Sequence, residues 1–227
     1  MGGMPPPLLT AKNISRTSTR DGRSLLQSVY LQLEENECVA LIGPAGSGKT
    51  LLLRALAWLD PIDQGQILLQ RQPPCEIGVP KYRRQVVYLH QSTWLPEGTV
   101  EQALAQPWQL SVARTSTRDS SSHEDLAEQL RQVGRSEAFL NKRTADLSGG
   151  ERQIAAFLRA IQLKPKVLLM DEPMSALDGE TSGRAETLLQ SYLEADRRRA
   201  AILVTHDLDQ ARRMCSRQLQ IRDGKLE

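Results

Sequence analysis

Cysteine is scarce in this chain. Three occur in 227 residues, Cys38, Cys75 and Cys215, and no two are spaced Cys-x-x-Cys. An odd, scattered set argues against a disulfide scaffold and a cysteine zinc site. Cys38 opens an apolar run and reads as a small buried hydrophobe; a reduced cytosolic setting fits. Long apolar runs are missing too, since none approaches the roughly 18 residues that cross a bilayer. The N-terminus, Met1-Gly2-Gly3-Met4-Pro5-Pro6-Pro7, has no apolar signal core. Neither sign of charge dominates: 29 basic against 27 acidic residues leave +2. That balance argues against a dedicated nucleic-acid binder. The densest basic run, Asp196-Arg197-Arg198-Arg199, stands just before a strand and reads as a solvated helix end. An Asn-Lys-x-Asp base-reading motif is also absent.

What is present reads as an ordinary globular chain, 40% hydrophobic and 25% charged. Residues 1 to 7 are Gly/Pro-rich and are expected to be disordered. Leu8 to Ile14 and Leu25 to Leu33 read as strands around a polar stretch, Ser15 to Ser24, that contains the turn signal Asp21-Gly22. Further strands are expected at Glu37 to Ile42, Gly65 to Gln70, Val86 to Leu89, Val167 to Met170, Ala201 to Val204 and Gln218 to Ile221. Helical periodicity marks Thr50 to Leu59, Thr99 to Ala105, Glu124 to Val133, Glu151 to Ile161 and Ser182 to Asp196. Thr115 to Ser122 reads as a loop. Strands alternating with helices predict an α/β fold with a mostly parallel sheet. The first strands add an antiparallel β-layer, and residues 92–160 form a mainly helical insertion between core segments 8–91 and 161–227. Arg16-Thr17-Ser18-Thr19-Arg20-Asp21 recurs as Arg114-Thr115-Ser116-Thr117-Arg118-Asp119. Both copies fall in expected surface loops, and no fold-level repeat accompanies them.

Three motifs carry chemistry. Gly43-Pro44-Ala45-Gly46-Ser47-Gly48-Lys49-Thr50 lies between an apolar strand and a helix, the context of a phosphate-binding loop. Its backbone N–H groups would converge on phosphates at a helix N-terminus. Lys49 would reach the β- and γ-phosphates, and the Thr50 hydroxyl would ligate Mg²⁺. Asp171 and Glu172 follow four apolar residues at a strand's C-terminal end, where open α/β sheets place ligands. Asp171 suits the Mg²⁺ shell. Glu172 suits a water-orienting base, a role worth about 10²–10⁴-fold in rate. Leu147-Ser148-Gly149-Gly150-Glu151 precedes a helix. Ser148 with Glu151 fits a capping box, and the same exposed N-terminus suits an anion.

In this order the three motifs resemble the ATP-binding subunit of an ABC transporter, and the resemblance covers nearly the whole chain. It implies a P-loop NTPase fold of ABC type over residues 8–227, with ATP and Mg²⁺ as cofactors. It implies roles for Gln91, as a Mg²⁺ contact that senses the membrane subunit, and for His206, as a switch histidine at the γ-phosphate. Ser175-Ala176-Leu177-Asp178 matches the family's D-loop. Ser148, Gly149 and Gly150 would face the ATP held by a second copy, so that a homodimer encloses two composite sites. A polytopic membrane subunit would be the partner, with this chain peripheral on the cytoplasmic face of the inner membrane. Of another class is a soluble ABC-type ATPase of macromolecular assembly or nucleic-acid maintenance.

The family pattern is broken in places. No aromatic stands near Ile14-Ser15-Arg16 to stack on adenine, which leaves the Arg16 guanidinium plane as a substitute. Ile154 stands where Arg is common. The short tail after the last strand predicts no appended regulatory domain. Gly98-Thr99-Val100 is similar to exporter-type subunits, and Pro107-Trp108-Gln109 to iron-export ATPase subunits. Trp94 and Trp108 are candidates to line the groove for a membrane-subunit helix, or else packing residues.

Overall fold

The computed structural model describes residues 6–109 and 123–227. Residues 1–5, the second Arg-Thr-Ser-Thr-Arg-Asp copy and the Thr115 to Ser122 loop lie outside the described residues. The elements in chain order are β1 (Leu9–Thr17), β2 (Ser24–Leu33), β3 (Cys38–Ile42), α1 (Lys49–Leu56), β4 (Gln64–Leu69), α2 (Pro74–Ile77), α3 (Val79–Gln85) and β5 (Val86–Leu89). Then come α4 (Val100–Gln109), α5 (His123–Gln132), α6 (Gly149–Gln162), β6 (Val167–Asp171), α7 (Gly179–Glu194), β7 (Ala200–Val204), α8 (Leu208–Met214), β8 (Arg217–Arg222) and β9 (Lys225–Leu226).

Two sheets form. An antiparallel layer runs β2-β1-β4, and a larger sheet runs β5-β6-β7-β3-β8-β9, parallel except for β9. Both expected layers are therefore present. Strands β6 and β7 are buried at every position, as continuous apolar runs in a sheet covered on both faces should be. Their side chains alternate between two cores. Leu168, Met170, Ala201 and Leu203 join Ile154, Phe157, Leu158 and Ile161 of α6 on one face. Val167, Leu169, Ile202 and Val204 join Leu52, Leu53 and Leu56 of α1 and the β-layer on the other. Ile154 is 1% exposed; its position faces this core, where an arginine charge would need a partner.

Several boundaries differ from expectation. β1 continues to Thr17, because a bulge with Asn13 at φ 54° restores pairing through Ile14↔Val29, Arg16↔Leu26 and Thr17↔Ser24. The polar turn shrinks accordingly, and the first hexapeptide copy begins inside the strand. α1 stops at Leu56 rather than Leu59, since Trp58 turns left-handed at φ 56°. α2 and α3 have no counterpart among the expected elements. Each has proline in its first turn, where a missing N–H costs nothing, and Tyr82 anchors α3 by donating to Leu56 O at 2.6 Å. The basic run lies just past the end of α7, at Glu194, in the turn that leads to β7. Arg198 pairs with Asp196, and Arg199 stacks over Tyr192 at 4.2 Å while donating to its carbonyl.

Candidate functional site

The carboxyl ends of β3, β6 and β7 deliver the phosphate loop, the acid pair and His206 to one edge of the sheet. Gly48 takes φ 109° at the head of α1, a backbone state closed to residues with a Cβ. That kink turns the loop into the helix. Lys49 is 7% exposed, and its ammonium donates to the carbonyls of Gly43 (2.7 Å) and Pro44 (2.9 Å). Among the described residues it pairs with no carboxylate, so a buried positive charge stands over the loop. The buried Ser47 hydroxyl has no hydrogen-bond partner there. Buried charge and polar groups want partners, and phosphate oxygens satisfy both.

The end of β6 lies beside this loop. Thr50 Oγ1 donates to Asp171 Oδ2 at 2.6 Å, and the Tyr88 hydroxyl donates to the same oxygen at 3.1 Å. Burial first, then the Asp171 charge, pushes the Tyr88 phenol above its ordinary range, so it stays a neutral donor. A hydroxyl and a carboxylate are hard oxygen ligands of the kind Mg²⁺ uses with substrate phosphates. The described residues contain no cluster of three His, Cys, Asp or Glu that could cage a metal alone.

Glu172 sits between two partners. Gln91 Nε2 donates to Oε2 at 2.7 Å, and His206 Nε2 stands 2.8 Å from Oε1. Its backbone is left-handed at φ 49°, and its N–H donates to Val204 O on β7. Such strain collects at functional sites. Gln91 thus meets Glu172, not the Thr50–Asp171 pair with which it was grouped.

Ser148 lies elsewhere, capping α6. Its hydroxyl accepts from Glu151 N, and Glu151 Oε2 accepts from Ser148 N, the reciprocal capping box. Lys142 pairs with Glu151 at 2.6 Å; this pair, then the Ser148 N–H, holds the Glu151 carboxyl below its usual range. Asp178 caps α7 and accepts from Thr181 N and Oγ1, which lowers its proton affinity. The Arg16 guanidinium pairs with Asp60 at 2.8 Å. Trp94, 73% exposed, lines a cavity of about 680 Å³ with Pro107 and Arg159. Trp108 instead packs under Arg84, 5.9 Å from its ring centre.

Two residues of the site carry no sequence signal. Tyr88 belongs to an apolar strand. Gln153 belongs to a helix, yet is 4% exposed and reaches Glu172 O, Ser175 Oγ and Ala176 N.

Known proteins agree with this geometry. A Fe(3+) ions import ATP-binding protein from Streptomyces coelicolor is 34% identical over 98% of the chain and 62% of its own length. The ABC transporter ATP-binding protein YxdL of Bacillus subtilis is 34% identical over 96% of the chain and 85% of its own. The chain spans little more than half the length of the import proteins it matches. Among solved structures, the dimeric bacterial ABC transporter cassette MJ0796 superposes with TM-score 0.83 at 28% identity, covering 96% of both chains, and a post-hydrolysis form with ADP and Pi does so equally. Residues 26–175 match the ABC transporter family, so phosphate loop, acid pair and capped Ser-Gly-Gly run have one explanation: this chain belongs to the ABC transporter family, as an ATP-binding domain.

Proposed function

We propose that this chain hydrolyses ATP as a homodimer with two composite sites. It would drive a separate polytopic membrane subunit from the cytoplasmic face of the membrane. One observation carries the reading: Gln91, Glu172 and His206 meet on a single carboxylate beside the Thr50–Asp171 pair.

The residues divide the work. Lys49 exchanges the Gly43 and Pro44 carbonyls for the β- and γ-phosphates, with the N–H groups of Gly43 to Thr50 around them. Thr50 and Asp171 would hold Mg²⁺, with Gln91 joining them once it leaves Glu172. Mg²⁺ supplies charge neutralisation at the phosphate oxygens. Glu172 orients the attacking water and accepts its proton at a carboxylate oxygen. Both of its oxygens are engaged in this structure, so one contact must open first. His206 then turns to the γ-phosphate. Ser148, Gly149 and Gly150 present the α6 N-terminus to the nucleotide of the second copy, and Asp178 stands in the loop between the sites.

Glu172→Gln tests the reading: it should give an ATP-dependent dimer with hydrolysis lowered at least about 100-fold. A variant that stays monomeric with ATP and keeps full activity overturns it. Iron export is a finer proposal, resting on Gly98-Thr99-Val100 and Pro107-Trp108-Gln109. Relatives named for a solute include importers of ferric iron, sulfate, polyamines and methionine. Transport in proteoliposomes containing the membrane subunit decides this: ATP-driven movement of another solute, but not iron, removes the cargo.

A further inference from the structure

The two halves of the proposed composite site are joined inside each chain by one side chain. Gln153, on the second turn of α6, is 4% exposed and aimed at the loop after β6. Its Nε2 donates to Ser175 Oγ at 3.1 Å and lies 3.5 Å from Glu172 O, while its Oε1 accepts from Ala176 N at 2.9 Å. Ser175 Oγ in turn donates to Glu172 O at 3.1 Å. The contact continues at the head of the same helix: a Cβ on Gly150 would lie 2.9 Å from Ala176 O. The α6 N-terminus and the segment Glu172 to Ala176 are therefore packed backbone to backbone, with the Gln153 amide as the polar link.

We infer that Gln153 is a positioning residue that couples the two ATP sites of the dimer. The inference rests on the composite-site reading. In that reading Ser148 to Gly150 of one chain face the second copy's nucleotide, while Glu172 of the same chain faces its own. A shift of α6 on meeting the second copy's ATP then moves the Glu172 carbonyl and Ala176 through a short, fully paired amide. Glu172 already sits at φ 49°, so a small rotation there re-aims its carboxylate. Packed contacts and hydrogen-bond networks with two arrangements, each biased by both sites, can carry coupling between them. The glutamine suits this task because donor and acceptor are both used; a buried amide with either end unpaired would destabilise the contact.

The test uses the full-length chain. Gln153→Met keeps the side chain's length and removes both hydrogen-bonding ends. ATP affinity, read with a fluorescent nucleotide, should stay within about 2-fold, whereas kcat falls about 10- to 100-fold, up to the scale of a catalytic group displaced by about 1 Å. The Hill coefficient for ATP should fall to about 1 as the sites lose contact. Ser175→Ala removes Gln153's acceptor from an exposed position, does not threaten folding, and should shift kcat and the Hill coefficient the same way, by less. Gln153→Glu, which keeps the acceptor for Ala176 N, should recover part of the Hill coefficient. Wild-type kcat and Hill coefficient in Gln153→Met overturn the inference, as does a parallel loss of affinity and kcat in both Gln153→Met and Ser175→Ala. In the Glu172→Gln background, Gln153→Met should still dimerise with ATP. If Glu172→Gln alone stays monomeric, the composite-site reading fails, and this inference falls with it.

Discussion

Thr50 Oγ1 and Asp171 Oδ2 are 2.6 Å apart although 121 residues separate them in the chain. The carboxylate also receives the Tyr88 hydroxyl, so its orientation is fixed from two sides. Asp171→Asn replaces one oxygen by an amide nitrogen and removes the negative charge. Mg²⁺-dependent tightening of nucleotide binding should be lost, while binding without Mg²⁺ persists through Lys49 and the loop. Tyr88→Phe should raise the Mg²⁺ concentration needed by about 3- to 10-fold, the worth of one typical net hydrogen bond. Titrating Mg²⁺ against a fluorescent nucleotide checks both; a Tyr88→Phe curve that overlays wild type rejects the role of the phenol.

The His206 imidazole, 60% exposed, meets Glu172 on its open side. His206→Ala should lower kcat by about 10²-fold with little change in ATP affinity, since Lys49 and the loop hold the nucleotide and His206 reaches the γ-phosphate only after leaving Glu172. His206→Gln retains a donor at that place and should recover part of the rate. Steady-state kinetics separate the outcomes, and a rise in KM alone contradicts the assignment.

Much of this site is visible in the sequence because its parts are local. The phosphate loop is a run between a strand and a helix, and Asp171-Glu172 ends an apolar strand. Ser148 and Glu151 obey a three-residue spacing that the structure repeats in both capping bonds. What brings Gln91, Glu172 and His206 together is the strand order β5-β6-β7, which no single motif states. Gln153 and Tyr88 are hidden because their partners are 23 and 83 residues away. The same limit applies to Arg16. Its ion-pair partner Asp60 lies 44 residues on. α2 and α3 escape notice since elements of 4 and 7 residues carry too few turns for periodicity.

Gly150 tests packing against propensity. Alanine in a helix is favoured over glycine by about 1 kcal/mol, which alone would stabilise α6. The Cβ would, however, stand 2.9 Å from the backbone oxygen of Ala176, an atom that cannot rotate away. The clash wins, and Gly150→Ala should lower Tm by roughly 2–4 °C for each kcal/mol lost. Ser148→Ala should also lower it, since a lost N-cap costs roughly 0.5–2 kcal/mol of stability. Differential scanning calorimetry reads both; a higher Tm for Gly150→Ala means that the two backbones can part without loss.

Asp60 links the β-layer to α1. Arg54 first, then Arg16, hold its carboxyl at about 2 against an ordinary 3.8. A depressed folded value means that its stabilisation is complete above pH 3.8 and is lost as pH falls through about 2. With part of the pair in solvent, the contribution is about 1–2 kcal/mol after screening. Asp60→Asn should therefore be less stable than wild type at pH 7, and the two should converge between pH 4 and pH 2. Urea unfolding across that window measures it. A gap that persists unchanged at pH 2 places the effect in packing instead of charge.

Trp94 decides whether the groove beside α4 and α6 is a docking surface. Its ring is 73% exposed at the edge of a cavity of about 680 Å³, walled by Val87, Pro107, Ala156 and Leu163. An exposed indole over an apolar hollow is costly in water and suits burial under a helix of a membrane subunit, where tryptophan commonly anchors binding. Arg159, whose charged form burial disfavours, lies at the same wall and donates to Gln106 at 3.1 Å, which adds a polar pair to the hollow. Trp94→Ala should weaken association with the polytopic partner by at least about 30-fold, the scale of a hot-spot truncation, while Mg²⁺-ATP binding reports that the chain is folded. Co-purification from detergent-solubilised membranes measures the loss. Full retention of the partner by Trp94→Ala would move the docking surface away from this groove.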